Sequence, residues 1–196
     1  MLDGPLVFVD VDTQRDFLDL DGALFIAGSE AIRPNLTRLT RFAREAGIPI
    51  LATACAHLEN DPEFAVFPPH CLLGTPGQGR VAETAIEGPV FEPGAPLPDP
   101  IPPHLTIHKT QYDVFSNPDA DRLVEHYAAG NPTFVVYGVA TDYCVKCAVG
   151  GLLDRGKKVA LVVDAIRAVD PESEADLLTD FARRGVLLTV TDVVCA

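Results

Sequence analysis

The chain is built from short apolar runs separated by longer stretches of mixed polarity. The run "PLVFVDVD" at 5–12 is brief and contains β-branched residues. The runs at 48–54, 104–110, 132–140, 157–165 and 185–191 are similar. Apolar runs this continuous suit strands covered on both faces, as in a parallel sheet. Helical periodicity fills the gaps. In 30–46, Ile32, Leu36, Leu39, Ala43 and Ala46 make one stripe, and Gly47 stops the helix. Ser116-Asn117-Pro118 opens a second helix, with Ala120, Leu123, Val124 and Tyr127 on one side. Val145, Ala148, Val149 and Leu152 mark a third, starting near Asp142. Asp170-Pro171-Glu172 opens the last, with Leu178, Phe181 and Ala182 facing inward.

Strand–helix alternation of this kind implies right-handed crossovers. The expected fold is therefore α/β: a single domain with a doubly wound, mostly parallel six-stranded sheet and helices on both faces. Between 55 and 103 the regularity fails, and the chain is rich in Pro and Gly. An irregular stretch of that length in a compact domain is often functional.

Charge narrows the partners. The formal net charge is −13, with no basic stripe to neutralise phosphates, so nucleic acid is not an expected partner. No apolar run is long enough to span a membrane. The acidic start "MLDGPLVFVD" does not resemble a signal peptide, and a cytoplasmic location is expected. Five cysteines in a reducing compartment are each a small hydrophobe, a metal ligand or a reactive thiol.

Candidate chemistry gathers where strands end, because ligands of doubly wound sheets bind at the carboxyl ends of strands. "GVATDYCVKC" carries Cys144 just past such an end, with Thr141 or Asp142 capping the following helix. A cysteine in a first helical turn has its thiolate favoured by free N–H groups and the helix dipole. Cys147 lies one turn deeper. A redox dithiol, half a metal site, a lone nucleophile and two core cysteines all remain open from spacing alone. Asp12 closes the first strand, with Asp10 two residues earlier, and Lys109 closes another. Cys55, His57, Glu63 and His70 fall at the start of the irregular segment. These are ligand-type side chains, and equally ordinary loop residues.

Four motifs occur in a known order. They are "VDVDTQRDF" (9–17), "FPPHCLLGTPG" (67–77), "HKTQYDVFSN" (108–117) and "GVATDYCV" (138–145). With them the chain resembles the isochorismatase-like cysteine hydrolases, nicotinamidases in particular, over residues 5–195. The resemblance implies Cys144 as nucleophile, Asp12 as general base and acid, and Lys109 as the third member of a triad. It implies a cis peptide before Ala140, with the N–H groups of Ala140 and Cys144 facing an oxyanion. It implies a divalent metal, zinc or alternatively iron or manganese, and no organic cofactor. The family pattern places Asp where this chain has Cys55. A Cys55–His57–Glu63–His70 set suits zinc; a water in place of Cys55, or loss of the metal, are the alternatives. Phe17 and Phe67 would wall the substrate pocket, with Tyr143 and Phe115 as further candidates. The implied reaction is hydrolysis of nicotinamide to nicotinate and ammonia through a thioester. The alternatives are another small amide of maleamate, ureido or carbamoyl type, and a non-enzymatic or redox dithiol protein. The family resemblance also implies a homo-oligomer.

Overall fold

In the computed structural model, which describes residues 2–196, one parallel sheet runs through the molecule. Its strands are β1 (Leu6–Val11), β2 (Ile50–Cys55), β3 (Val90–Phe91), β4 (His104–Lys109), β5 (Thr133–Val139), β6 (Lys158–Arg167) and β7 (Leu187–Thr189). The order is β3-β4-β2-β1-β5-β6-β7, and every pairing is parallel. All six apolar runs form strands. The sheet has seven strands rather than six, because β3 adds an edge from the irregular segment. Two residues are too short to show as an apolar run. The pairing of Phe91 with Ile107 and its burial hold them in place.

Among the described residues six α-helices accompany the sheet: α1 (Arg15–Leu18), α2 (Arg33–Ala46), α3 (Ala120–Tyr127), α4 (Lys146–Asp154), α5 (Pro171–Arg183) and α6 (Thr191–Val194). Alternation along β1 divides the core. Val7, Val9 and Val11 pack in a cluster with Leu123 of α3, Val149 of α4 and Phe181 of α5. Phe8 belongs to the cluster with Leu36 and Leu39 of α2 and Val194 of α6. Both faces are thus covered, as continuous apolar strands require. Two stripe residues differ from expectation. Ala46 is exposed, because the chain turns away at Gly47 with φ 65°. Ala182 is exposed, since one residue after buried Phe181 lies about 100° around the helix.

Strand order reverses at β1. From there the chain builds β2 and β4 on one side and β5, β6 and β7 on the other. The crevice at this switch point is where a doubly wound sheet receives ligands. Gly138 makes it possible for β5 to close on β1 there. Its φ is 116°, and a Cβ at that position would meet the Val11 carbonyl oxygen at 2.0 Å. No other residue fits that approach.

Candidate active site

The ends of β1, β4 and β5 deliver three side chains to one buried point. Asp12 follows β1 with φ 49°, a conformation uncommon outside glycine. Thr53 of β2 holds it: the Thr53 hydroxyl donates to Asp12 Oδ1 at 2.6 Å, and the Asp12 N–H donates back to Thr53 Oγ1 at 3.2 Å. Lys109 Nζ sits 2.8 Å from Asp12 Oδ2 and 3.3 Å from Cys144 Sγ. It also reaches Cys55 Sγ at 3.2 Å and the Gln111 carbonyl at 3.0 Å. Four acceptors therefore share three ammonium protons. Asp12, Cys55, Lys109 and Cys144 are all buried. Burial works against the charge of Lys109, but Asp12, Cys144 and Cys55 outweigh it and hold its pKa well above the ordinary lysine value. The Cys144 thiol is pushed well above the usual range, first by its hydrogen bond with Cys55, then by burial; Lys109 opposes both.

Cys144 lies in a π-helical turn, Thr141–Val145, that leads into α4. π-turns occur mostly as single turns, frequently at functional sites. The Val139–Ala140 peptide before it is cis, matching the family resemblance. Neither expected cap serves this turn. The Thr141 hydroxyl donates to Glu174 of α5 at 2.9 Å. Asp142 instead accepts the N–H groups of Val169 and Asp170 at 3.0 and 2.9 Å, tying down the segment after β6. Cys147 is half-buried and lines a neighbouring groove with Asp61, Gln111 and Asp113, on the far side of Glu63 and Tyr112 from the cavity.

A second cluster stands beside the first. His57, Glu63 and His70 each offer a ligand atom, all within 4.8 Å of one another. His57 Nδ1 is paired with Asp61 Oδ2 at 2.9 Å, and His70 Nδ1 with the Pro68 carbonyl at 2.8 Å. These contacts turn both Nε2 atoms inward, that of His70 to 3.5 Å from Glu63 Oε1. His57 Nε2 is buried with no hydrogen-bond partner. An orphaned imidazole nitrogen, a second imidazole and a carboxylate, each histidine oriented by an outer partner, fit a divalent metal. Burial lowers the pKa of His70 and raises that of Glu63. Neutral His70 is the form that ligates. Cys55 is not in this group. Its sulfur clusters with Asp12 and Cys144 instead, at the end of β2 facing Lys109.

Both clusters open into one cavity, lined also by Phe17, Phe67, Tyr112, Ala140 and Tyr143. Phe67 and Tyr112 both pack edge-on against Tyr143, at 5.4 and 5.3 Å. Phe115 is not there. It packs against Gly151 of α4, with the Arg155 guanidinium 3.5 Å above its ring, away from the cavity. Tyr112 has no role in the sequence reading, although it lies in the motif around Lys109.

Two residues of the first motif position the site without entering it. The Gln14 amide accepts the Cys55 N–H at 2.7 Å and donates to the Cys55 carbonyl at 2.8 Å, fixing the end of β2. Asp16 accepts the Cys71 N–H at 2.6 Å and the Ala23 N–H at 3.1 Å, fixing the loop that carries His70. A Cβ on Gly77 would fall 2.1 Å from the Asp16 carboxylate. Only the amide and carboxylate in "TQRDF" hinted at these duties.

Comparison with known proteins finds distant relatives along nearly the whole chain. A nicotinamidase from Escherichia coli strain K12 is 25% identical, over 94% of this chain and 94% of its own length. A relative from Arabidopsis thaliana, described as a probable inactive nicotinamidase, is 23% identical over 90% of this chain and 87% of its own length. The crystal structure of a pyrazinamidase from Pyrococcus horikoshii, in complex with zinc, superposes with a TM-score of 0.79 at 27% identity. The superposition covers 95% of this chain and 99% of that one. The isochorismatase domain model matches residues 6–193, nearly the whole chain, and the protein belongs to the isochorismatase family.

Proposed function

We propose that the protein is a cysteine-dependent amidohydrolase acting on a small carboxamide, with nicotinamide as the substrate that suits it best. The observation that carries this reading is the position of Lys109 Nζ, 2.8 Å from Asp12 and 3.3 Å from Cys144, buried behind the Cys144 sulfur that lines a cavity with aromatic walls. Because Cys144 is held protonated at rest, its proton must leave as it attacks. Asp12 is the receiving base, and Lys109 keeps the carboxylate and the developing thiolate compensated. The sulfur adds to the amide carbon. The N–H groups of Ala140 and Cys144 take the oxyanion, each such donor contributing about 2.7–4 kcal/mol. Asp12 returns the proton to the amide nitrogen, the C–N bond breaks and ammonia leaves. Water, deprotonated by Asp12, then cleaves the thioester and Cys144 recovers its proton.

His57, Glu63 and His70 would hold a divalent metal, zinc in the first instance. A metal there supplies a Lewis-acid contact for a ring nitrogen or a water beside the substrate. Phe17, Phe67, Tyr112 and Tyr143 exclude water and stack a planar ring. Cys55 is left out of this metal set and assigned to the reacting cluster.

Ammonia release from a panel of nicotinamide, pyrazinamide, a maleamate and a carbamoyl amide tests the reading. Turnover of nicotinamide that falls by on the order of a thousandfold or more in Cys144→Ala, with the fold intact by circular dichroism, is the expected result. Turnover indifferent to that substitution overturns it.

A further inference from the structure

The mechanism uses one of the two thiols beside Lys109. Cys55 and Cys144 both line the cavity, and their sulfurs lie within 4.8 Å of each other. They share one ammonium, at 3.2 and 3.3 Å. Each sulfur is thus offered the same proton donor, and a negative charge on either one is compensated. Asp12 Oδ2 is within reach of both, 3.7 Å from Cys55 Sγ. No such arrangement exists for Cys147, which opens to a different groove. The Cys-x-x-Cys spacing at 144–147 therefore misdirects: the sulfur facing Cys144 comes from the other side of β1, at the end of β2.

We propose that Cys55 and Cys144 form a reversible disulfide when a small hydroperoxide enters the cavity. Asp12 removes the Cys144 proton, and the thiolate attacks the hydrogen-bearing oxygen of the peroxide. An S–O bond forms and the O–O bond breaks. The sulfur is oxidised to sulfenic acid, and the departing oxygen leaves as alcohol, or as water from hydrogen peroxide, with the proton supplied through Asp12 or Lys109. Cys55 then attacks the sulfenic sulfur as a thiolate. The S–S bond forms, the S–O bond breaks, and hydroxide leaves as water with the Cys55 proton. In sum, two thiols and one hydroperoxide give a disulfide, an alcohol and water. A pairing partner this close intercepts the sulfenic acid before it is oxidised irreversibly. Closing the bond requires the sulfurs to approach to about 2.05 Å, which draws Cys144 out of its place and occupies both thiols.

The test is chemical and does not depend on which amide the enzyme hydrolyses. The full-length protein is treated with limiting hydrogen peroxide, alkylated without reduction, digested and mapped by mass spectrometry. The expected product is a peptide pair linked through Cys55 and Cys144, with two of the five thiols lost and regained on adding dithiothreitol. Cys147→Ser should give the same link. In Cys55→Ser, oxidation of Cys144 should run on to sulfinic acid that dithiothreitol does not reverse. A Cys144–Cys147 link overturns the proposal, and so does sulfinic Cys144 in the unaltered protein without any link. Ammonia release before and after treatment keeps the two readings apart. Failure of the amidase reading leaves the mapped link unaffected.

Discussion

The two clusters share a cavity and differ in how their polar atoms are satisfied. Around Lys109 every charge has its counter-charge: carboxylate, ammonium and two thiols pair with one another, and Thr53 and the Gln111 carbonyl complete the set. Around His57 the outer contacts are complete and the inner ones are not, for His57 Nε2 is buried and has no partner. The first cluster is finished by the fold. The second has a donor set that fits a divalent metal. A buried orphan is costly, so its persistence beside oriented neighbours points to a ligand.

Four experiments press on that difference, from the largest effect to the smallest. Removing one partner of the finished cluster should hurt the fold. Lys109→Met strands a buried carboxylate, and we expect a loss of about 3–5 kcal/mol in urea unfolding. A stability close to that of the unaltered protein would mean that water or a proton compensates Asp12. Disturbing the unfinished cluster should instead hurt ligand binding. Asp61→Asn removes the partner of His57 Nδ1 and should weaken metal affinity about 10–100-fold, measured by competition with a chromophoric chelator. An unchanged affinity would remove Asp61 from the support of the site.

The third concerns pH. The hydrogen bond with Cys55, and then burial, raise the Cys144 pKa, so its thiolate fraction keeps growing above the ordinary thiol range near about 8.5. The alkylation rate of Cys144 by iodoacetamide should therefore still climb through that range. A plateau below it would show that Lys109 dominates instead. Last, Phe115→Leu should cost about 1 kcal/mol of stability and leave the substrate KM unchanged. A raised KM would bring Phe115 back to the pocket.

How much of this was legible in the sequence follows from what a pattern encodes. Apolar runs located the strands, and their ends located Asp12, Lys109 and Cys144. The chain order of the four motifs agreed with family membership, which the domain match shows. Side-chain direction beyond a strand end was not legible. Asp12 leaves β1 with a positive φ, so strand alternation no longer says where it points. Cys55 is the sharper case. Its place in the family pattern suggested the metal, whereas the pairing of Cys55 with Lys109 across β2 and β4 turns its sulfur to the other cluster. Phe115 was close in sequence to the lysine motif, yet the turn after β4 carries it onto α4, beside Gly151 and Arg155 and away from the cavity. The strand β3 was invisible because two residues carry no periodicity.

Asp16 has a consequence for how the loop over the site tolerates change in length. Its carboxylate fastens the backbone at Cys71 and occupies the space that any side chain at position 77 would need. Between those two positions the loop is bolted at both ends. Residues added there would strain that clamp and the chain next to His70, whereas additions near the exposed Pro93 and Gly94 stay clear of the bolts and of both clusters. An engineer lengthening this lobe should cut at the latter place.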